Sequence, residues 1–343
     1  MRARVVPVDP LTPGPALIRD AAGVIVAGGL VAFPTETVYG LGADALNVDA
    51  VQRIYEAKGR PVDNPIIVHV ADQSALAGLV ADVPPCAQAL VGALWPGPLT
   101  VVLRAAPVVP PVTRGGLDTV AVRVPAHPVA LALIRAAGRP VAAPSANRSG
   151  RPSPTTAAHV LADLGDRIDL VLDAGPTPVG VESTVVDLTT DPPTLLRPGG
   201  VTLETLQAML GQVTVAGAGA TAAARSPGTR YRHYAPRARV VLIEAGTRDR
   251  AAAVASAVRR LWDEGQRVGV MVTAETAGSV PAGAVVRVMG SRTDPEAIAA
   301  GLFAHLRDLD DAGLDVIVVE GIDEAGVGRA VMDRLRRAAS HGR

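Results

Sequence analysis

Residues 119–143, TVAVRVPAHPVALALIRAAGRPVAA, decide how the chain reads. The run predicts a strand at Thr119–Val124, a helix at Pro128–Ala137 and a second strand at Val141–Ala143. Outward from it the same alternation continues. Val24–Phe33 reads as the end of a helix and a strand stopped by Pro34. Asp49–Ala57 reads as a helix, with Val51, Ile54 and Tyr55 at i, i+3 and i+4 and Asp49 placed to cap it. Pro65–Val70, Leu99–Arg104, Leu170–Asp173 and Ser183–Asp187 read as strands, and Ala87–Leu94 and Thr155–Leu164 as helices. Hairpin-like and crossover spacings occur together, which predicts an α/β domain on a twisted, partly parallel sheet.

Past residue 210 the pattern fades. Residues 211–238 read as a linker, broken by Pro227-Gly228 and Pro236. It restarts with strands at Arg239–Ile243, Gln266–Thr273, Ala284–Met289 and Leu314–Glu320, separated by helices at Arg250–Glu264 and Pro295–Leu309 and closed by one at Val327–Ala339. That spacing predicts a smaller, doubly wound domain over 239–343. The expected division is 1–210, a linker or lid at 211–238, and 239–343.

Composition narrows the function. The chain has 343 residues, 33 basic against 33 acidic, and eight aromatics, which disfavours a broad nucleic-acid or lipid-binding surface. One cysteine, Cys86, excludes an internal disulfide and any zinc site needing two thiolates. The first twenty residues lack a signal-peptide core and no run is long enough for a membrane helix, so the cytoplasm is the expected location. Arginine accounts for 32 of the 33 basic residues, and Lys58 is the single lysine. A lysine kept against such a bias suggests work that a guanidinium cannot do.

Three loops carry the polar chemistry. Lys58-Gly59-Arg60-Pro61, with Asn64 beyond it, can aim an ammonium and a guanidinium at one polyphosphate, or can be a solvated helix end. Ala143-Pro-Ser-Ala-Asn147, running on through Ser153 and Thr155, follows a strand with small hydroxyl and amide donors; Ser153 or Thr155 can instead cap the next helix. Phe33-Pro-Thr-Glu-Thr-Val-Tyr-Gly-Leu-Gly42 is a third strand-to-loop junction. Thr119 and Arg123 share one strand face, and an arginine there needs an anion, for which a substrate carboxylate would serve. No phosphate-binding glycine motif of the usual kinds is present.

Together with Ser183-Thr-Val-Val-Asp187, Ser226-Pro-Gly-Thr-Arg-Tyr-Arg-His-Tyr-Ala-Pro236 and Gly326-Val-Gly-Arg-Ala-Val-Met-Asp-Arg-Leu335, these loops make the chain resemble the two-domain threonylcarbamoyl-AMP synthases of the YrdC type. The resemblance spans nearly the whole chain. It implies a YrdC-like mixed sheet with helices, followed by a smaller Rossmann-like α/β domain. It implies an enzyme that joins L-threonine, bicarbonate and ATP, with Mg²⁺, into threonylcarbamoyl-adenylate and pyrophosphate. Other proteins would then carry the product to adenosine 37 of tRNAs reading codons that begin with A, without stable nucleic-acid binding here. By motif, Thr37, His69, Arg123, the Ala143 backbone and Ser183 would hold threonine. Arg60, Asn64, Thr119, Ser145, Ser153 and Arg197 would hold ATP, with Tyr234 closing over it. Lys58 and Asn147, with Arg60 and Ser145, would form the reacting centre.

The chemistry agrees with the residue types. Carbamate and triphosphate repel each other, so cations must offset the repulsion and the charge on departing pyrophosphate. A carbamate loses CO2 in water, which favours a site that closes. A non-catalytic RNA-binding protein is the competing reading, disfavoured by the neutral charge and few aromatics. A carbamoyltransferase with cysteine-rich zinc modules is excluded by the single cysteine.

Overall fold

The structure, a computed structural model, describes residues 2–216 and 234–340. These fall into two compact units: residues 2–149, 153–178 and 182–216 in one, and 150–152, 179–181 and 234–340 in the other.

The first unit is built on one large mixed sheet. Its strands are β1 (Arg4–Pro7), β2 (Val31–Phe33), β3 (Gly40–Asp44), β4 (Ile67–His69), β5 (Leu99–Arg104), β6 (Thr119–Arg123), β7 (Val141–Ala142), β8 (Leu170–Asp173), β9 (Thr184–Asp187), β10 (Thr194–Arg197) and β11 (Thr214–Val215). They lie in the order β1-β8-β2-β3-β7-β4-β6-β5-β9-β10-β11. Successive residues of a strand feed opposite faces. Leu30 and Ala32 enter one hydrophobic cluster, Val31 and Phe33 the other, so this part of the sheet is covered on both sides. On β4 and β6, Val68, Val120 and Val122 point into the main core. Ile67 and Ala121 lie on the opposite face in a small apolar patch with Val102, Val185 and Leu196. His69 and Arg123, paired in register at the strand ends, share that second face.

Three local expectations change. The helix at Val48–Lys58 begins one residue earlier than the spacing suggests, and Asn47, not Asp49, caps it by accepting from the backbone N–H groups of Asp49 and Ala50. The helix predicted from Thr155 starts at Ala157 with Thr156 as its cap, which releases Ser153 and Thr155 from that role. Strands β1, β3, β10 and β11 were not read from the sequence. The side chains of β11 are exposed, and its parallel pairing with β10 gives no apolar alternation to detect.

The second unit holds a fully parallel sheet of β12 (Arg239–Ile243), β13 (Val268–Val272), β14 (Val285–Val288) and β15 (Val316–Glu320), ordered β12-β15-β13-β14. Its helices include Arg250–Asp263, Pro295–Asp311 and Gly328–Ala339. The doubly wound pattern requires this arrangement, because parallel strands need crossovers that bury both faces. Among the described residues no helix is long and apolar enough to cross a membrane.

Candidate active site

Lys58 is the last residue of its helix and lies almost wholly inside the protein, 3% exposed. The solvated-helix-end reading therefore fails. Gly59 caps the helix in the left-handed conformation (φ 60°), which turns the chain so that Arg60 follows it into the interior. The Lys58 Nζ donates to the carbonyls of Ser145 and Asn147, each at 2.5 Å. Ser145 Oγ donates to Asn147 Oδ1 at 2.5 Å, so three of the four residues expected at the reacting centre touch directly. Arg60 donates through Nε to the Asn64 carbonyl (3.2 Å) and through Nη2 to the Pro65 carbonyl (2.8 Å). Burial, and next the charge of Arg60, push the Lys58 amine well below its ordinary pKa; Asp163 and Glu182 act the other way.

A second group gathers around Arg123. Its Nη1 donates to Thr37 Oγ1 (3.0 Å) and its Nε to the Gly97 carbonyl (3.2 Å). Thr37 in turn shares a 2.8 Å hydrogen bond with Thr35. The anion that Arg123 requires is supplied from within: Glu36 Oε1 lies 2.7 Å from Arg123 Nη2, with both side chains buried. Glu36 Oε2 is buried and accepts no hydrogen bond.

The third group is Ser183 and Arg197. Arg197 donates through Nε and Nη2 to the Ser183 carbonyl (3.1 and 2.9 Å), and Ser183 Oγ meets Thr100 Oγ1 at 2.8 Å. A Cβ on Gly199 would lie 2.3 Å from the backbone of Glu182 and Thr184, so only glycine lets this chain segment press against Ser183. Backbone bonds tie the groups together. Ala146 N donates to the Tyr39 carbonyl, Tyr39 N to the Pro154 carbonyl and Ala143 N to the Ile67 carbonyl, so the 33–42 and 143–154 loops run against each other beside β4.

Ser153, freed from capping, donates its hydroxyl to Glu182 Oε1 (2.5 Å). Thr119 lies on the Arg123 face of β6, with Ala121 between them. Tyr234 belongs to the second unit, 2% exposed, its ring stacked on Phe303 (5.4 Å) with the Arg334 guanidinium 5.3 Å from the ring centre. The remainder of the expected lid, residues 217–233 with Tyr231, lies outside the described residues.

Glu36, Glu182, Asp163 and Thr100 were missed as candidates. Glu36 stood in a quoted loop and carried a signal, a carboxylate between two threonines at a strand end. Asp163 had none, since nothing in a helix sequence marks which side chain points at a distant lysine. Among the described residues no cluster of three or more His, Cys, Asp or Glu could hold a metal ion.

His69 is buried beside Arg123 and its pKa is pushed down to about 3, burial being the main cause and Arg123 the second. The folded protein keeps this imidazole neutral while the unfolded chain protonates near 6.5. The stability this gives is complete above that value and is lost as the pH falls towards 3. By about pH 4.5 the loss attributable to His69 is expected to be roughly 2–3 kcal/mol. Urea unfolding of wild type and His69→Gln across that range checks it; identical losses in the two proteins would exclude His69 as the source.

Comparison with known proteins places this geometry. Residues 23–199 match the Sua5/YciO/YrdC family model, described as "Telomere recombination", and residues 201–340 match the C-terminal domain of threonylcarbamoyl-AMP synthase. The chain is 50% identical to the threonylcarbamoyl-AMP synthase of Pyrococcus abyssi over 94% of both chains. It is 47% identical to that of Bacillus subtilis over 96% of this chain and 95% of the other. The structure of Pyrococcus abyssi Sua5 complexed with L-threonine superposes with a TM-score of 0.93 at 47% identity, covering 98% of both chains. The chain belongs to the Sua5/YrdC family of threonylcarbamoyl-AMP synthases, enzymes of the nucleotidyltransferase type, in the form that carries the additional C-terminal domain.

Proposed function

We propose that this protein condenses L-threonine, bicarbonate and MgATP into threonylcarbamoyl-adenylate, releasing pyrophosphate and the bicarbonate oxygen as water. The observation that carries this reading is the burial of Lys58, Arg60 and Arg197, beside the Arg123–Glu36 pair, in one unit of a protein with no net charge. Burying cations is costly unless they meet anions. Two anionic reactants that repel each other need such a place.

Threonine is the substrate because a relative of 47% identity binds it, and Arg123, Thr37, His69, Ser183 and the Ala143 backbone take it. Glu36 Oε2, without a hydrogen bond here, receives the threonine ammonium and accepts the proton that must leave before the amine attacks carbon. Arg60, Asn64, Thr119, Ser145, Ser153 and Arg197 take the nucleotide. Lys58 and Asn147 steady the carbamate oxygen as it attacks the α-phosphorus. Mg²⁺ entering with ATP would offset the triphosphate charge and the charge on departing pyrophosphate, beside Arg60, Ser145 and Arg197. The product then passes to proteins that modify adenosine 37 of tRNAs reading codons that begin with A, and no stable RNA complex with this chain is needed.

Pyrophosphate release from ATP by the purified protein should require threonine and bicarbonate together. Release that ignores the omission of either would overturn the proposal.

A further inference from the structure

The second unit contains a polar cavity of about 550 Å³ beyond the carboxyl ends of its parallel strands. In an open parallel sheet wound on both faces, this is the end at which the crossovers part and leave a crevice. Thr247, Arg248 and Arg250 line it from the loop after β12, Glu275 and Thr276 from the segment after β13, and Arg292 from the loop after β14. None of these belongs to the reacting groups described above.

Two of the lining residues, Thr276 and Arg292, are held by a buried carboxylate. Glu320, the last residue of β15, is fully buried, a costly place for a carboxylate unless it is fully engaged. Its oxygens accept from Thr273 N (2.9 Å), Thr273 Oγ1, Thr276 Oγ1 and Arg292 Nη2 (each 3.0 Å). The network holds Arg292 and Thr276 in fixed positions at the cavity wall. Arg292 Nε is buried without a hydrogen bond, 3.7 Å from Glu275 Oε2. Arg250 is anchored by the Gly321 carbonyl (3.1 Å) and pairs with Asp323 (3.5 Å). Arg248 is exposed and makes no hydrogen bond or ion pair with any described residue.

The two carboxylates at the rim are already engaged. Asp249 caps the helix Arg250–Asp263 by accepting from Ala252 N. Glu275 accepts from Ser291 Oγ (2.6 Å) and from the Arg292 backbone N–H (3.2 Å). Arg248, with no partner among the described residues, and Arg292, with its Nε unbonded, therefore converge on the cavity beside a helix N-terminus, while the carboxylates there are hydrogen-bonded to other donors. That is the donor set of a phosphate site.

We propose that this cavity is a second anion site, separate from the reacting centre, that takes the phosphate group of a small ligand. The test uses the full chain and hydrogen exchange read by mass spectrometry. Inorganic phosphate or AMP should slow exchange at residues 247–252 and 290–293. Arg248→Glu, at an exposed position that does not endanger folding, should weaken that protection about tenfold or more, as should Arg292→Gln, while threonine-dependent pyrophosphate release persists. Stronger protection by AMP than by phosphate identifies a nucleotide as the occupant; equal protection identifies the bare phosphate group. No protection at these segments by either probe, or protection unchanged in Arg248→Glu, overturns the proposal. Because exchange is read in the second unit, that failure is distinguishable from failure of the synthase reading.

Discussion

Lys58→Ala is expected to reduce threonine- and bicarbonate-dependent pyrophosphate release by roughly 10²–10³-fold, the scale of losing one preorganised charge-stabilising donor. The ammonium is not a surface charge whose loss solvent would replace. It is buried, bonded to the carbonyls of Ser145 and Asn147, and carried on the same chain turn as Arg60. Removing it takes away the compact positive charge and also the tie that fixes the 145–147 loop. Two buried carbonyls lose a donor, which costs about 1–3 kcal/mol, partly offset by no longer burying an ammonium. The variant should therefore remain folded, with a lowered melting temperature and nearly no turnover. Lys58→Arg should not rescue it, because a planar fork cannot replace a point donor between two carbonyls 2.5 Å away. Steady-state pyrophosphate release with a parallel thermal melt decides the matter; wild-type turnover in the folded alanine variant would remove Lys58 from the mechanism.

Arg123→Met is expected to destabilise the protein by about 3–5 kcal/mol, since it strands the Glu36 carboxylate in the interior. The pair is close (2.7 Å) and both side chains are shielded from water. Adding Glu36→Gln should recover most of that loss, because the orphaned charge disappears. Function should separate from stability in this cycle. Glu36→Gln alone should lower kcat, as removing the acceptor of the threonine proton requires, and the double variant should be folded but unable to saturate with threonine. Denaturant melts of the four proteins give the coupling energy; equal and additive losses would show that Arg123 and Glu36 do not act as a pair.

Much of the fold was legible for a simple reason. Strands such as Thr119–Arg123 and helices such as Pro128–Ala137 write their apolar periodicity into consecutive residues. Strands held only by backbone pairing, like Thr214–Val215, write nothing. The same contrast governs the site. Lys58 stood out because it is the single lysine, and Ser145 and Asn147 because they sit together in a loop after a strand. Ser153 was ambiguous between a cap and a ligand until its hydroxyl was seen donating to Glu182.

From the sequence alone came the alternation of strands and helices, the presence of a second parallel domain, and the types and order of the polar residues, since local periodicity and residue chemistry act over a few neighbouring positions. Tertiary structure alone decided that Glu36 neutralises Arg123, that Lys58 lies buried against residues 145–147, that Tyr234 stacks on Phe303, and that Glu320 holds Thr276 and Arg292 at the wall of a second cavity. Each of those is a charge or ring balanced against residues distant along the chain or on another strand or helix, and such a balance exists only once the backbone has brought the partners within a few ångströms.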